Sequence, residues 1–121
     1  MKKEAKNLIT AFLAFWAIVL AVLYTVAANN SPQTVLYYGD TCPHCKLVEQ
    51  YIQDNNIQAA MPIVMKEVFN DENNQKAIEA TAKKCGLDSQ TIVVPLFYYK
   101  GRCYVGDTDI IQLLNSTVMS K

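Results

Sequence analysis

Apolar residues are distributed in two ways along the chain. From Leu8 to Ala28 no charged residue occurs, and from Ala11 onward only Tyr24 and Thr25 interrupt the apolar run. No face of this segment is polar, which suits a bilayer better than the surface of a globular core. A helix of 21 such residues at ~1.5 Å per residue reaches about 31 Å, the hydrocarbon thickness of a membrane. Beyond Asn29-Asn30-Ser31-Pro32-Gln33 the apolar positions fall into short runs. Thr34 to Tyr38 is β-branched and aromatic without alternation, which predicts a central strand covered on both faces. Pro43 to Asn55 predicts a helix that buries Leu47, Val48, Tyr51 and Ile52. Ile63 to Val68 predicts a second strand. Asn70 is placed to cap the next helix, with Asp71 and Glu72 in its first turn, Lys83 and Lys84 in its last, and Gly86 just past its end. The apolar face of that helix is Ala77, Ile78, Ala82 and Cys85. Ile92 to Tyr99, interrupted by Pro95, predicts a third strand, Lys100-Gly101 a tight hairpin, and Arg102 to Val105 a fourth strand. Asp107 then caps a last helix through about Asn115.

This order, βαβαββα, has a crossover that demands parallel pairing of the first two strands and a hairpin between the last two. The expected fold is α/β: a mixed four-stranded sheet with helices on both faces, preceded by one N-terminal transmembrane helix. The expected divisions are a cytoplasmic tail at 1–7, an anchor at 8–28, a polar linker at 29–33 and the folded domain at 34–118. Lys2, Lys3 and Lys6 stand against Glu4 ahead of the apolar run, and the first charge after it is Asp40. The positive-inside bias therefore places the N-terminus in the cytoplasm and the domain on the outer side. A cleaved secretory signal is the competing reading, because Val26, Ala27 and Ala28 are small. Signal cores run about 7 to 15 residues, so the longer run favours an uncleaved anchor; either reading exports the domain.

Hydrophobic residues make up 51% of the chain and charged residues 18%, which excludes a disordered polymer. Eleven basic residues balance eleven acidic ones, so no positive field exists to neutralise a nucleic-acid backbone, and no nucleic-acid partner is expected.

The candidate chemistry is Cys42-Pro43-His44-Cys45, where the first strand meets its helix. With Cys42 as N-cap, Pro43 falls at the first helical position, where its missing N–H costs nothing. The N–H groups of His44 and Cys45 then point toward the Cys42 sulfur. These donors and the helix dipole stabilise a thiolate, so Cys42 is the expected nucleophile and Cys45, one turn inward, the resolving thiol. His44 is expected to donate to the Cys42 thiolate and to add favourable charge when protonated. A zinc site fits poorly, since Cys85 and Cys103 do not form a second C-x-x-C, and haem attachment fails because Lys46 follows Cys45. No metal and no cofactor is expected. Cys85 and Cys103 lie on apolar faces and are expected as buried small hydrophobes, with a bond between them the lesser alternative.

The segments VLYYGDTCPHC and VVPLFYYKGRCYVGDTD resemble, in order and spacing, the thioredoxin superfamily, and by size its glutaredoxin-like branch, over residues 33 to about 117. That resemblance implies a thiol–disulfide oxidoreductase; with the export segment, its expected substrates are exported protein thiols and disulfides, and a membrane redox partner is a further expected partner. It also implies that Pro95 is cis and lies against the active-site sulfurs, and that the backbone of Val94 pairs with substrate. Gly39 stands where glutathione-using glutaredoxins carry a Lys three residues before the nucleophile. The glycine motif ahead of the last helix is reduced to Gly106, followed by Asp107. Both departures argue against glutathione as a partner. The dipeptide Pro43-His44 is similar to the CPHC of DsbA-type disulfide oxidases, although this chain lacks their helical insertion. Thiolate stabilisation by His44, with export, favours a donor of disulfides or an isomerase over a reductant. The alternative reading is a non-catalytic module that holds a metal or partner through Cys42 and Cys45.

Overall fold

The computed structural model describes residues 1–28 and 33–120. The linker expected at 29–33 therefore lies, apart from Gln33, outside the described residues. The chain divides into two compact units, Met1–Ser31 and Pro32–Lys121.

The first unit is α1, Lys2–Ala28, a helix of 27 residues. It is long and apolar enough to cross a membrane, and none of its apolar window is buried inside the protein. The Thr10 hydroxyl donates to the Lys6 carbonyl at 3.0 Å and the Thr25 hydroxyl to the Val22 carbonyl at 2.8 Å. Each hydroxyl thus finds its acceptor on its own helix.

The second unit is built on β1 (Val35–Tyr38), α2 (Pro43–Asp54), α3 (Ile57–Ala60), β2 (Val64–Glu67), α4 (Glu72–Lys84), β3 (Leu96–Tyr99), β4 (Arg102–Val105) and α5 (Asp107–Val118). The strands form one sheet in the order β2-β1-β3-β4. β1 pairs parallel with β2, Val35 opposite Val64, and antiparallel with β3, Leu36 opposite Phe97. β3 and β4 form the hairpin, Leu96 opposite Val105. At its tip Lys100 and Gly101 both take positive φ, 46° and 80°, the conformation that a two-residue turn matched to strand twist requires.

Strand alternation sorts the core into two layers. Leu36 and Phe97 point to one face, where Val48 and Ile52 of α2, Ile57 of α3, and Ile110 and Leu114 of α5 cover them. Val35, Tyr37 and Leu96 point to the other, against Val68 and Ile78. β1 is therefore apolar at consecutive positions because both of its faces are covered.

Several boundaries differ from the sequence expectation. β2 starts at Val64 rather than Ile63, because the side chain of Gln58 brackets Ile63: Ile63 N donates to Gln58 Oε1 at 2.8 Å and Gln58 Nε2 donates to Ile63 O at 3.1 Å. β3 starts only at Leu96, since Pro95 has no N–H for the ladder and a 3₁₀ turn at Ser89–Thr91 occupies the approach. Asp71, not Asn70, caps α4, its carboxylate accepting the Asn74 N–H at 3.1 Å. Gly106 is the N-cap of α5, and Asp107 is its first residue. Leu47 is 50% exposed, because the buried stripe of α2 is the narrower set Cys45, Val48 and Ile52.

Cys85 and Cys103 are the largest correction. They are half-buried and bonded to each other, Cα–Cα 6.0 Å, joining the C-cap of α4 to β4 across 18 positions. Both lie on the α4 side of the sheet, where hairpin and helix end converge.

Candidate functional site

The site forms where β1 ends and α2 begins. Cys42 is the N-cap of α2 with extended backbone, and Pro43 occupies the first turn. The Cys45 N–H donates to Cys42 Sγ at 3.2 Å. Of the two amides expected to face this sulfur, Cys45 supplies the one that bonds it. Cys42 and Cys45 are themselves bonded, with Cα atoms 5.2 Å apart. Cys42 retains 9% exposure and Cys45 none, so an incoming group reaches the sulfur of Cys42 first.

Val94 and Pro95 come up against this pair. The Val94 carbonyl oxygen lies 3.8 Å from Cys42 Sγ, the Val94–Pro95 peptide is cis, and the Pro95 side chain is fully buried. Val94 also lines a groove of about 260 Å³, together with Phe69, Ile92, Gln75, Gln90 and Glu79.

His44 turns outward, its side chain 70% exposed, with Nδ1 3.3 Å from Asp107 Oδ1. Asp107 is the first residue of α5 and His44 the second of α2. A carboxylate here is favoured by the positive end of its own helix and draws the imidazole toward it. The ring nitrogen nearer the backbone is thereby engaged with a carboxylate rather than with the Cys42 sulfur. Lys46, one position past the motif, bonds Glu49 at 3.1 Å; this hydrogen bond, then the attraction to the same carboxylate, holds the ammonium above its ordinary range.

Two groups at the site carried no sequence signal. Glu67 ends β2, and its carboxylate collects three backbone donors: Asp40 N at 3.2 Å and Phe69 N at 2.8 Å on Oε1, and Asn70 N at 2.8 Å on Oε2. Burial pushes this carboxyl up, but the amides of Asn70, Phe69 and Asp40 together outweigh it and hold it below the ordinary value of 4.5. The Glu67 carbonyl accepts from Asn74 Nδ2 at 2.8 Å. The second group is Phe69, 49% exposed, whose ring sits on Gly39 so closely that any Cβ at position 39 would collide with it. Only the contact across two loops makes either residue part of the site.

Among the described residues no cluster of three or more His, Cys, Asp or Glu is placed to hold a metal ion. Compared with protein-family models the chain matches none, and a search of curated proteins returns no match.

Proposed function

We propose that the chain is a membrane-anchored thiol–disulfide oxidoreductase of thioredoxin-like fold, which exchanges disulfides with exported proteins through Cys42 and Cys45. The observation that carries this reading is the bonded pair at the start of α2, with the Cys45 N–H on the Cys42 sulfur. A short ring of this kind adds little loop-closure entropy, so it is a poor staple, whereas its helix terminus stabilises the thiolate that exchange releases.

In the oxidising direction a substrate thiolate attacks Cys42 Sγ and breaks the Cys42–Cys45 bond, and the electron pair passes to Cys45 Sγ, which takes up a proton. A second substrate thiolate then attacks its own sulfur in the mixed disulfide. The Cys42 thiolate leaves, received by the Cys45 N–H, and the substrate departs oxidised by two electrons. A membrane redox partner restores the pair. In the reducing direction Cys45 resolves the mixed disulfide held at Cys42. The Val94 carbonyl beside Cys42 offers the backbone acceptor against which an extended substrate lies.

The helix terminus favours the oxidising direction, since the Cys45 N–H and the positive end of α2 stabilise the reduced, ionised form. Glutathione fits poorly: Phe69 occupies the space that a side chain at position 39 would need, and the charged residue lining the Val94 groove is the acidic Glu79. The N-terminal lysines support a domain on the outer side of the membrane.

The test is a dithiol–disulfide titration of the full chain in detergent, paired with an insulin-reduction assay. A reversible two-electron transition with turnover is the expected result. Stoichiometric zinc uptake without turnover would transfer the pair to the metal-binding reading. A potential near −270 mV would reverse the direction.

A further inference from the structure

We propose that Glu67 is the positioning residue of the reactive loop, fixing Cys42 at its helix terminus through the Asp40 backbone. The inference rests on the exchange reading of Cys42 and Cys45. The loop from Gly39 to Cys42 is short, and its Cys42 N–H donates back to the Gly39 carbonyl at 3.2 Å. What ties this turn to the sheet is the end of β2. The Glu67 carboxylate takes the Asp40 N–H from one side, and from the other the N–H groups of Phe69 and Asn70. The same two amides shape the segment that lays the Phe69 ring on Gly39. One side chain thus holds both ends of a clamp: a hydrogen bond at Asp40 and, through the backbone of Phe69, an aromatic cover at Gly39.

The Cys42 sulfur is stabilised as a thiolate only while it lies where the Cys45 N–H can reach it, and the clamped turn sets that place. A carboxylate near a thiolate also repels it, so the two roles open to Glu67 have opposite signs. As a bare charge, its removal eases ionisation of Cys42. As a positioning residue, its removal loosens the turn and hinders ionisation. The three donors aligned on one carboxylate favour the second role.

The experiment is the pH profile of alkylation of Cys42 in the reduced full chain, followed at the Cys42 peptide by mass spectrometry. Glu67→Ala is expected to raise the midpoint by about half a pH unit or more, the equivalent of one weakened hydrogen bond to the thiolate. Glu67→Gln also removes the charge but keeps an acceptor for Asp40, and its midpoint should rise less. Gln58→Ala removes a side-chain bracket at the opposite end of β2 and should leave the midpoint in place. A midpoint that falls or stays in Glu67→Ala, or that moves as far in Gln58→Ala, overturns the proposal. If Glu67→Ala does not fold, the sign of the Glu67→Gln change decides alone. A chain that shows the rise yet exchanges no disulfides keeps the role of Glu67 and removes the exchange reading.

Discussion

The two bonded cysteine pairs contain the same bond in opposite surroundings. Cys42–Cys45 closes three positions at the start of α2, and its outer sulfur receives a backbone N–H. Cys85–Cys103 closes 18 positions, from the C-cap of α4 to β4, and Cys103 Sγ lies 3.9 Å from the Thr81 carbonyl oxygen. A thiolate released at Cys42 meets donors and the positive end of a helix. One released at the other pair meets carbonyl oxygens and the negative end of a helix. Loop closure points the same way: the short ring contributes little, the long one about 3 kcal/mol. Which end of a helix each pair meets, more than the cysteine itself, separates a bond suited to the proposed exchange from one suited to holding the hairpin down.

The sharpest way to break this comparison is to remove one sulfur from the first pair. Cys42→Ser should abolish exchange and trap nothing, while Cys45→Ser should accumulate mixed disulfides, read on non-reducing gels. The reverse pattern would exchange the roles of the two residues. The next largest effect is expected at the second pair. Cys85→Ala/Cys103→Ala should lose about 3 kcal/mol in urea unfolding yet keep most of its turnover. Loss of turnover in a variant that still folds would make the second pair a redox centre too.

A smaller effect sharpens the electrostatic side. His44→Gly should lower the reduction potential of the Cys42–Cys45 pair by about 30 mV for each ~1.4 kcal/mol of thiolate stabilisation removed, and raise the ionisation midpoint of Cys42 with it. An unchanged potential would mean that the contact with Asp107 takes His44 out of the redox balance. The smallest effect is an acid one. The folded carboxyl of Glu67 lies below its unfolded value, so its contribution is present above the ordinary carboxylate range and is lost as pH falls through the folded value. Urea unfolding of the wild type and of Glu67→Gln should therefore converge as pH drops below about 4.5. Curves that stay parallel into acid would remove this role.

What could be read from the sequence was what neighbours along the chain decide. Cys42 as N-cap, Pro43 after it, the hairpin at Lys100-Gly101 and the double-faced β1 are each set by a few adjacent residues. The α3 turn, four residues long, is too short to show a period. Leu47 looked buried because spacing gives a stripe without its width. Glu67, Phe69 over Gly39, His44 beside Asp107, and the Cys85–Cys103 bond join residues that meet only once the sheet has formed. Glu67 and Asp40 lie 27 positions apart, and no local pattern marks one as the partner of the other.

The bracket that Gln58 places around Ile63 bears on how the domain behaves in a crowd. β2 is an edge strand, and an edge with open backbone groups is a template for a stranger's strand. Val64 N and Val68 N donate to β1, so the odd-numbered residues between and before them turn their backbone groups outward. At Ile63 those groups are occupied by the Gln58 amide, and the outward carbonyl of Glu67 is taken by Asn74. Side-chain amides therefore close the edge at both ends and leave Met65 in the gap between them, too short a stretch for a ladder to start. On the β2 side, the sheet is thereby kept from being lengthened by an extended chain, such as a proposed substrate.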